Sequence, residues 1–132
     1  MSKFSIRKSI AVGNTRIKLY KLIIDNSCQV DEFEKLILLE GTFGKDIGKI
    51  YATIEAACNL SILPKTLYRV LKLPGTSLKV YEAKSASLRY YLIKLEKTGK
   101  VIVLAGKKNG QKLDLKHLGK LIQEIHSQGI QN

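Results

Sequence analysis

Cations that could bind phosphate are concentrated in one stretch of the chain, Leu78–Lys112. Lys84 and Arg89 flank a Ser-Ala-Ser turn, and Lys107 and Lys108 follow a strongly apolar run. Ammonium and guanidinium groups form charge-assisted hydrogen bonds with phosphate oxygens. A chain that turns back on itself between two strands brings Lys84 close to Arg89. Whether Lys108 joins them depends on strand register, which the sequence leaves open.

Two tyrosines share the predicted strand that begins near Arg89. Alternation places Arg89 and Tyr91 on one face of that strand and Tyr90 on the other. If Arg89 faces an open groove, Tyr91 shares the groove and can stack on a base. The alternative is that one tyrosine lies in the core and the other on the sheet surface.

No standard signature of a metal or nucleotide site is present. The motifs GxxxxGK[ST], CxxC, HExxH and GxSxG are all missing. His117 and His126 fall in a predicted helix, where we expect both to face solvent. Asp31, Glu32 and Glu34 are interpreted as charges that complement the start of a helix. We therefore predict no metal and no cofactor.

The net charge of +12 is distributed unevenly along the chain. Residues 1–64 hold 9 Lys/Arg and 7 Asp/Glu, whereas residues 65–132 hold 14 and 4. A nearly neutral half followed by a strongly basic half predicts a surface that binds a polyanion. Nucleic acid is the favoured partner, and acidic proteins and anionic membranes are the alternatives.

The length of 132 residues predicts a single domain, 1–132. No apolar run is long enough to span a bilayer, and the charged N-terminal segment does not resemble a secretory signal. Cys28 and Cys58 lack metal-ligand spacing, and we favour buried free thiols over a disulfide. We therefore predict a cytoplasmic protein with no membrane contact.

A hairpin and two helices are predicted in the first half. Phe4–Val12 and Arg16–Ile24 flank a Gly-Asn-Thr turn and are both rich in Ile, Leu and Val. Gln29–Glu40 is typical of a helix that ends at Gly41. Phe43–Leu60 carries one apolar stripe at helical spacing. We expect the two helices to form an antiparallel pair on one face of a sheet and to leave the other face open.

A sheet meander and a final helix are predicted in the second half. Thr66–Leu73 fits a short strand or an extended link. Leu78–Lys112 predicts three consecutive strands, and Val101–Leu104 has no polar alternation, which is typical of a central strand. A helix follows at about Asp114–Gln128. The predicted fold class is α+β: an antiparallel meander sheet with an N-terminal hairpin, two helices on one face and a C-terminal helix.

The stretch LKVYEAK-SAS-LRYYLIKLEKTGKVIVLAGKKNGQK resembles the RelE/ParE/HigB superfamily of toxins from bacterial type II toxin–antitoxin systems. Residues 78–112 carry the similar motifs, and the helical pair at 29–60 is similar in arrangement. The resemblance implies a RelE-like fold and a ribosome-dependent, metal-independent mRNA endoribonuclease that inhibits translation. Its implied partners are a cognate antitoxin protein, mRNA and the ribosome.

Site residues are carried over from the same resemblance. Arg89 matches the arginine that opens the family strand, Lys108 matches a second cation after the central strand, and Lys84 falls near the strand lysines. These three are the predicted catalytic residues. The residues predicted to bind RNA are Lys79, Tyr91, Lys107, Gln111 and Lys112.

The sequence departs from the family pattern in two places. The tyrosine or histidine that often follows the lysine cluster has no counterpart within 109–112. Glu82 interrupts the basic strand and fits either a general base or, as we favour, a charge partner for its neighbours. The general base is therefore unassigned. The alternatives are a non-catalytic DNA gyrase inhibitor similar to ParE and a plain nucleic-acid-binding domain.

Overall fold

The structure is a computed structural model, and it describes residues 2–131. A six-stranded sheet forms its centre. The strands are β1 (Phe4–Lys8), β2 (Leu19–Ile24), β3 (Tyr68–Leu71), β4 (Val80–Lys84), β5 (Leu88–Leu95) and β6 (Gly99–Lys107). Their order across the sheet is β1-β2-β6-β5-β4-β3.

The sheet is mixed. Strand β2 pairs with β6 in parallel, and the other four strand pairs are antiparallel. Parallel neighbours need a long connection, and residues 25–98 provide it with two helices and strands β3 to β5. The predicted α+β class, the antiparallel pairing of β1 with β2 and the run of antiparallel strands from β3 to β6 are confirmed. The predicted tight turn at Gly-Asn-Thr is wrong, because both strands are shorter than predicted and residues 9–18 join them. The prediction of a purely antiparallel sheet is wrong, because β2 lies beside β6.

Helices cover both faces of the sheet. Helix α1 (Gln29–Glu40) and helix α2 (Gly44–Cys58) contribute buried side chains to the core on one face. Helix α3 (Gln111–Gln128) contributes its buried stripe to the core on the other face. The face that we expected to stay open is therefore covered, because the stripe of Leu118, Leu121, Ile122 and Ile125 needs an apolar surface to pack on.

The central strands β5 and β6 are buried on both sides. Tyr90, Leu92 and Ile102 belong to the core under α1 and α2, whereas Ile93 and Val101 belong to the core under α3. This explains why the apolar run of β6 shows no alternation of polar and apolar residues. The predicted central position of Val101–Leu104 is confirmed.

Glycines end a helix and a turn where the backbone requires them. Gly41 has a φ of 71° and closes α1 as predicted. Gly99 has a φ of 147°, and a Cβ atom there would lie 2.3 Å from the Lys18 carbonyl oxygen. Only glycine allows this approach between the β5–β6 turn and the residue before β2.

Two further expectations concern the cysteines and the helices. Cys28 and Cys58 are both free and buried. Within residues 2–131, no helix combines the length and the apolar character needed to cross a bilayer.

Candidate functional site

Four segments meet at one end of the sheet, which we call the turn end. They are the turn Ser85–Ser87 between β4 and β5, the end of β6 with the 3₁₀ turn Lys108–Gly110, and the first residues of α2 and α3. The Lys108 amide donates to the Ser87 carbonyl oxygen at 2.8 Å. The Asp46 carboxylate accepts from the Ser85 hydroxyl at 2.8 Å and from the Ser87 amide at 3.0 Å. Hydrogen bonds with the residue after β6 and with α2 therefore hold the turn Ser85–Ser87 in place.

Arg89 lies beneath this turn. It pairs directly with Lys84 across β4 and β5, as predicted for neighbours on a hairpin. Its side chain is only 8 % exposed, and Nη1 donates to the carbonyl oxygens of Ser85 at 2.6 Å and Leu88 at 2.8 Å. Its Nε has no partner within residues 2–131. The guanidinium thus fixes the turn, and its Nε–H is buried without a partner in the described part of the chain.

Lys107 and Lys108 line a cleft of about 430 Å³ beside the same turn, together with Phe43, Ala86, Ser87 and Asn109. The Lys107 ammonium donates to the Glu40 carboxylate at 3.0 and 3.2 Å and lies 5.6 Å from the centroid of the Phe43 ring. Lys108 is exposed and, like Lys84, forms no ion pair with a carboxylate of residues 2–131. Lys108 is therefore free to take an anionic ligand.

A buried polar cluster lies between this end of the sheet and α3. Glu82 is 0 % exposed, accepts from Arg69 Nε at 2.9 Å and accepts a short hydrogen bond from the Gln111 amide. A buried carboxylate needs such partners, because an unpaired buried charge is costly. Of the two interpretations of Glu82, the structure supports the charge partner. Arg69 and Gln111 were not foreseen in this role, since nothing local in the sequence marks them.

Tyr91 and Asp114 complete this cluster. Tyr91 is 0 % exposed, and its hydroxyl has no hydrogen-bond partner within residues 2–131. Burial raises the pKa of Tyr91 and also the pKa of Asp114. Asp114 packs so closely on Gly106 that a Cβ atom there would lie 2.0 Å from its Oδ2. The expectation that Tyr91 shares an open groove is wrong in this structure, because α3 covers that face.

The other predicted site residues are divided between the two ends of the sheet. Gln111 and the exposed Lys112 lie in the first turn of α3, at the turn end. Lys79 precedes β4, whereas Lys84 ends it, so the two lie about 17 Å apart along the strand. The structure thus places Lys84, Arg89, Lys107 and Lys108 at one end and leaves Lys79 at the other. Lys84 does not line the cleft of Lys107 and Lys108, because it lies on the sheet face under α3, as Glu82 does.

The turn end presents ammonium groups on a rigid backbone, an arrangement that suits phosphate oxygens. No protein-family model, curated protein or solved structure matches this chain.

Proposed function

We propose that this protein is an mRNA-cleaving toxin of the RelE/ParE/HigB type, which acts on ribosome-bound mRNA in the cytoplasm. The observation that carries the proposal is the cleft that Lys107 and Lys108 line beside a turn held by Arg89, with Lys84 at the same end of the sheet. The resemblance of residues 78–112 to those toxins, from which the roles of these residues are carried over, also supports it. A cognate antitoxin with an acidic segment would neutralise this surface by covering it.

The chemistry we propose is attack by a ribose 2′-oxygen on the adjacent phosphorus. The new O2′–P bond forms as the P–O5′ bond breaks, which leaves a cyclic phosphate and a 5′-hydroxyl. A water molecule takes the 2′ proton, because the Glu82 carboxylate is buried and paired. The Lys108 ammonium donates a proton to the leaving 5′-oxygen.

The extra negative charge on the phosphoryl oxygens needs cations that are already in place. Lys84 and Lys108 form no ion pair with a carboxylate of residues 2–131, and they supply this stabilisation from the turn end. Arg89 acts in this scheme by holding the backbone of the turn Ser85–Ser87. The site therefore depends on backbone rigidity as much as on charge.

The test compares Lys108→Ala and Lys84→Ala with Lys120→Ala, which removes an exposed lysine of α3 outside the site. Each protein is expressed in growing bacteria, and cleavage of ribosome-bound mRNA is mapped by primer extension. We expect each site variant to cut about 100-fold more slowly, since one lost transition-state donor has that order of effect. Lys120→Ala should cut like the wild type. If the wild-type protein arrests growth while the ribosome-bound mRNA stays uncut, the protein is not this nuclease.

A non-catalytic inhibitor of DNA gyrase is a second candidate, and the state of Arg89 favours it. Its guanidinium is buried and donates to two backbone carbonyls, which is typical of a structural arginine. This candidate predicts topoisomerase-linked DNA breaks and growth arrest with uncut mRNA. A plain nucleic-acid-binding domain would give neither, and its expression would be harmless.

A further inference from the structure

A second basic cleft lies at the opposite end of the sheet from the turn end. Its volume is about 610 Å³, and it lies between the loop before β2 and the turn from β5 to β6. The cations that line it are Arg16, Lys18, Lys94 and Lys97. Tyr20 and Thr98 lie among them, and Tyr20 is partly exposed. We call this feature the β5–β6 cleft.

The charge of the β5–β6 cleft is not neutralised. None of the residues that line it is acidic, and none of its four cations forms an ion pair with a carboxylate of residues 2–131. By contrast, Lys3, Arg7, Lys21 and Lys107 are all paired elsewhere. Like charges lining one concave surface repel one another and raise the local concentration of anions.

The cleft is built on fixed backbone. The Lys100 amide donates to the Lys18 carbonyl oxygen at 2.9 Å, and the Arg16 amide donates to Asn59 Oδ1 at 3.2 Å. The close approach that requires glycine at position 99 joins the two walls. The cations of this cleft therefore project from a surface that is already arranged before a ligand arrives.

Lys97 occupies a backbone position that does not favour lysine. Its φ is 66°, in the left-handed region where glycine and asparagine are preferred. Local strain of this kind persists only where the surrounding structure fixes the backbone, and it is concentrated at functional sites. In the β5–β6 cleft the side chain adds a fourth positive charge to three others.

We propose that the β5–β6 cleft binds the phosphodiester backbone of single-stranded RNA, with Tyr20 stacking on a base. The proposal rests on the proposed function for the identity of the nucleic acid. Uncompensated cations beside a partly exposed aromatic ring are the combination that binds single strands without sequence preference. The strand β5 spans about 23 Å between the two ends of the sheet, so this contact is separate from the turn end.

The test is the binding of a fluorescein-labelled, 2′-O-methylated RNA of about 16 nucleotides. The methyl group blocks attack by the 2′-oxygen, so binding is measured apart from cleavage. Arg16→Ala/Lys18→Ala is compared with Lys116→Ala/Lys120→Ala, which removes the same charge from exposed positions on α3 that do not line this cleft. Affinity is followed by anisotropy from about 50 to about 200 mM salt.

We expect the double variant in the cleft to bind several-fold more weakly at low salt. The slope of log K against log salt should fall by about 1.4, which is the value for two lost phosphate contacts to a single strand. The α3 variant should keep the wild-type slope. Equal effects of the two variants, or no effect of either, would overturn the proposal.

Lys97→Gly separates the loss of a binding residue from damage to the fold, because a damaged fold would unfold at a lower temperature. Glycine relieves the strained φ, so we expect a higher midpoint of thermal unfolding together with weaker RNA binding. Stronger or unchanged RNA binding by this variant would count against the cleft.

Failure of this proposal can be told apart from failure of the proposed nuclease. If RNA binding depends on the cleft but the protein cuts no mRNA, the proposal for the β5–β6 cleft holds and the proposed nuclease activity is wrong. If the protein cleaves mRNA but binds RNA equally well without the cations of the cleft, only the proposal for the β5–β6 cleft is wrong. If a labelled polyglutamate peptide binds through Arg16 and Lys18 while RNA does not, the cleft is a site for an acidic protein and the proposal is wrong.

Discussion

Lys100 shows how one residue can carry a buried charge without a carboxylate. It is 6 % exposed, and its ammonium donates to the Tyr68 hydroxyl at 3.0 Å. The ammonium also lies 5.0 Å from the centroid of the Tyr68 ring and 4.3 Å from that of Tyr81, and these two rings stack. Cation–π attraction offsets part of the cost of removing this charge from water. Burial nevertheless lowers the pKa of Lys100 below its ordinary value.

The lowered pKa of Lys100 predicts a pH-dependent contribution to stability. Just below pH 10.5 the unfolded chain binds more protons at this residue than the native protein. The free energy of unfolding contributed by Lys100 therefore rises with pH in that window, by at most about 1.4 kcal/mol per unit of pKa shift. Lys100→Met removes this dependence. Urea unfolding of both proteins at about pH 7 and pH 9.5 checks it.

The expected outcome is that the wild type gains stability relative to Lys100→Met between the two pH values. A constant difference between the two proteins would show that Lys100 stays charged in both states. The comparison cancels the titration of groups that do not contact Lys100.

At the scale of elements, the turn from β5 to β6 sets how β6 enters the sheet. Gly99 brings this turn against the Lys18 carbonyl, and β6 then pairs with β2 in parallel. Gly99→Ala should destabilise the protein by about 2 kcal/mol or more, because it combines a φ that L-residues avoid with a steric clash. Chemical denaturation measures the change.

Gly48 supplies the matched control for this substitution. It lies within α2, it is exposed, and a Cβ atom there would meet nothing within 4 Å. Gly48→Ala should stabilise the protein by about 0.5–1 kcal/mol, because alanine is the better helix former. A Gly99→Ala protein as stable as Gly48→Ala would contradict the close approach at the turn.

Local patterns predicted the elements better than their arrangement. The bounds of α1 follow from the sequence, since an apolar stripe and Gly41 both mark its end. The parallel contact of β2 with β6 could not be predicted, because nothing local distinguishes a strand that joins an antiparallel neighbour from one that lies beside a distant strand. Alternation placed Arg89 and Tyr91 on one face correctly, but it could not reveal that α3 covers that face.

For the candidate site, too, the sequence predicted contacts within a hairpin but not contacts between distant segments. The hairpin from β4 to β5 made Lys84 and Arg89 neighbours, as the sequence indicated. The ion pair of Lys107 with Glu40 and that of Arg69 with Glu82 join segments far apart in the chain, and no local pattern marks them. The position of Lys79 at the far end of β4 follows from strand direction alone.

For the whole molecule, a net charge of +12 on 132 residues predicts that salt stabilises the fold. Compaction brings like charges together, and screening at about 0.15 M reduces this repulsion compared with about 0.01 M. The repulsion is strongest where cations lack partners, as in the β5–β6 cleft. We expect the midpoint of thermal unfolding to rise with sodium chloride, and to rise less for Arg16→Glu/Lys18→Glu, in which two of those charges are reversed.

The same unfolding experiment distinguishes general repulsion from the local effect of the β5–β6 cleft. Lys116→Glu/Lys120→Glu changes the net charge equally but reverses exposed charges on α3. If both variants lose the same part of the salt dependence, repulsion is spread over the molecule and the cleft has no special share. A larger loss for Arg16→Glu/Lys18→Glu would show that the uncompensated cations beside the β5–β6 turn oppose folding locally.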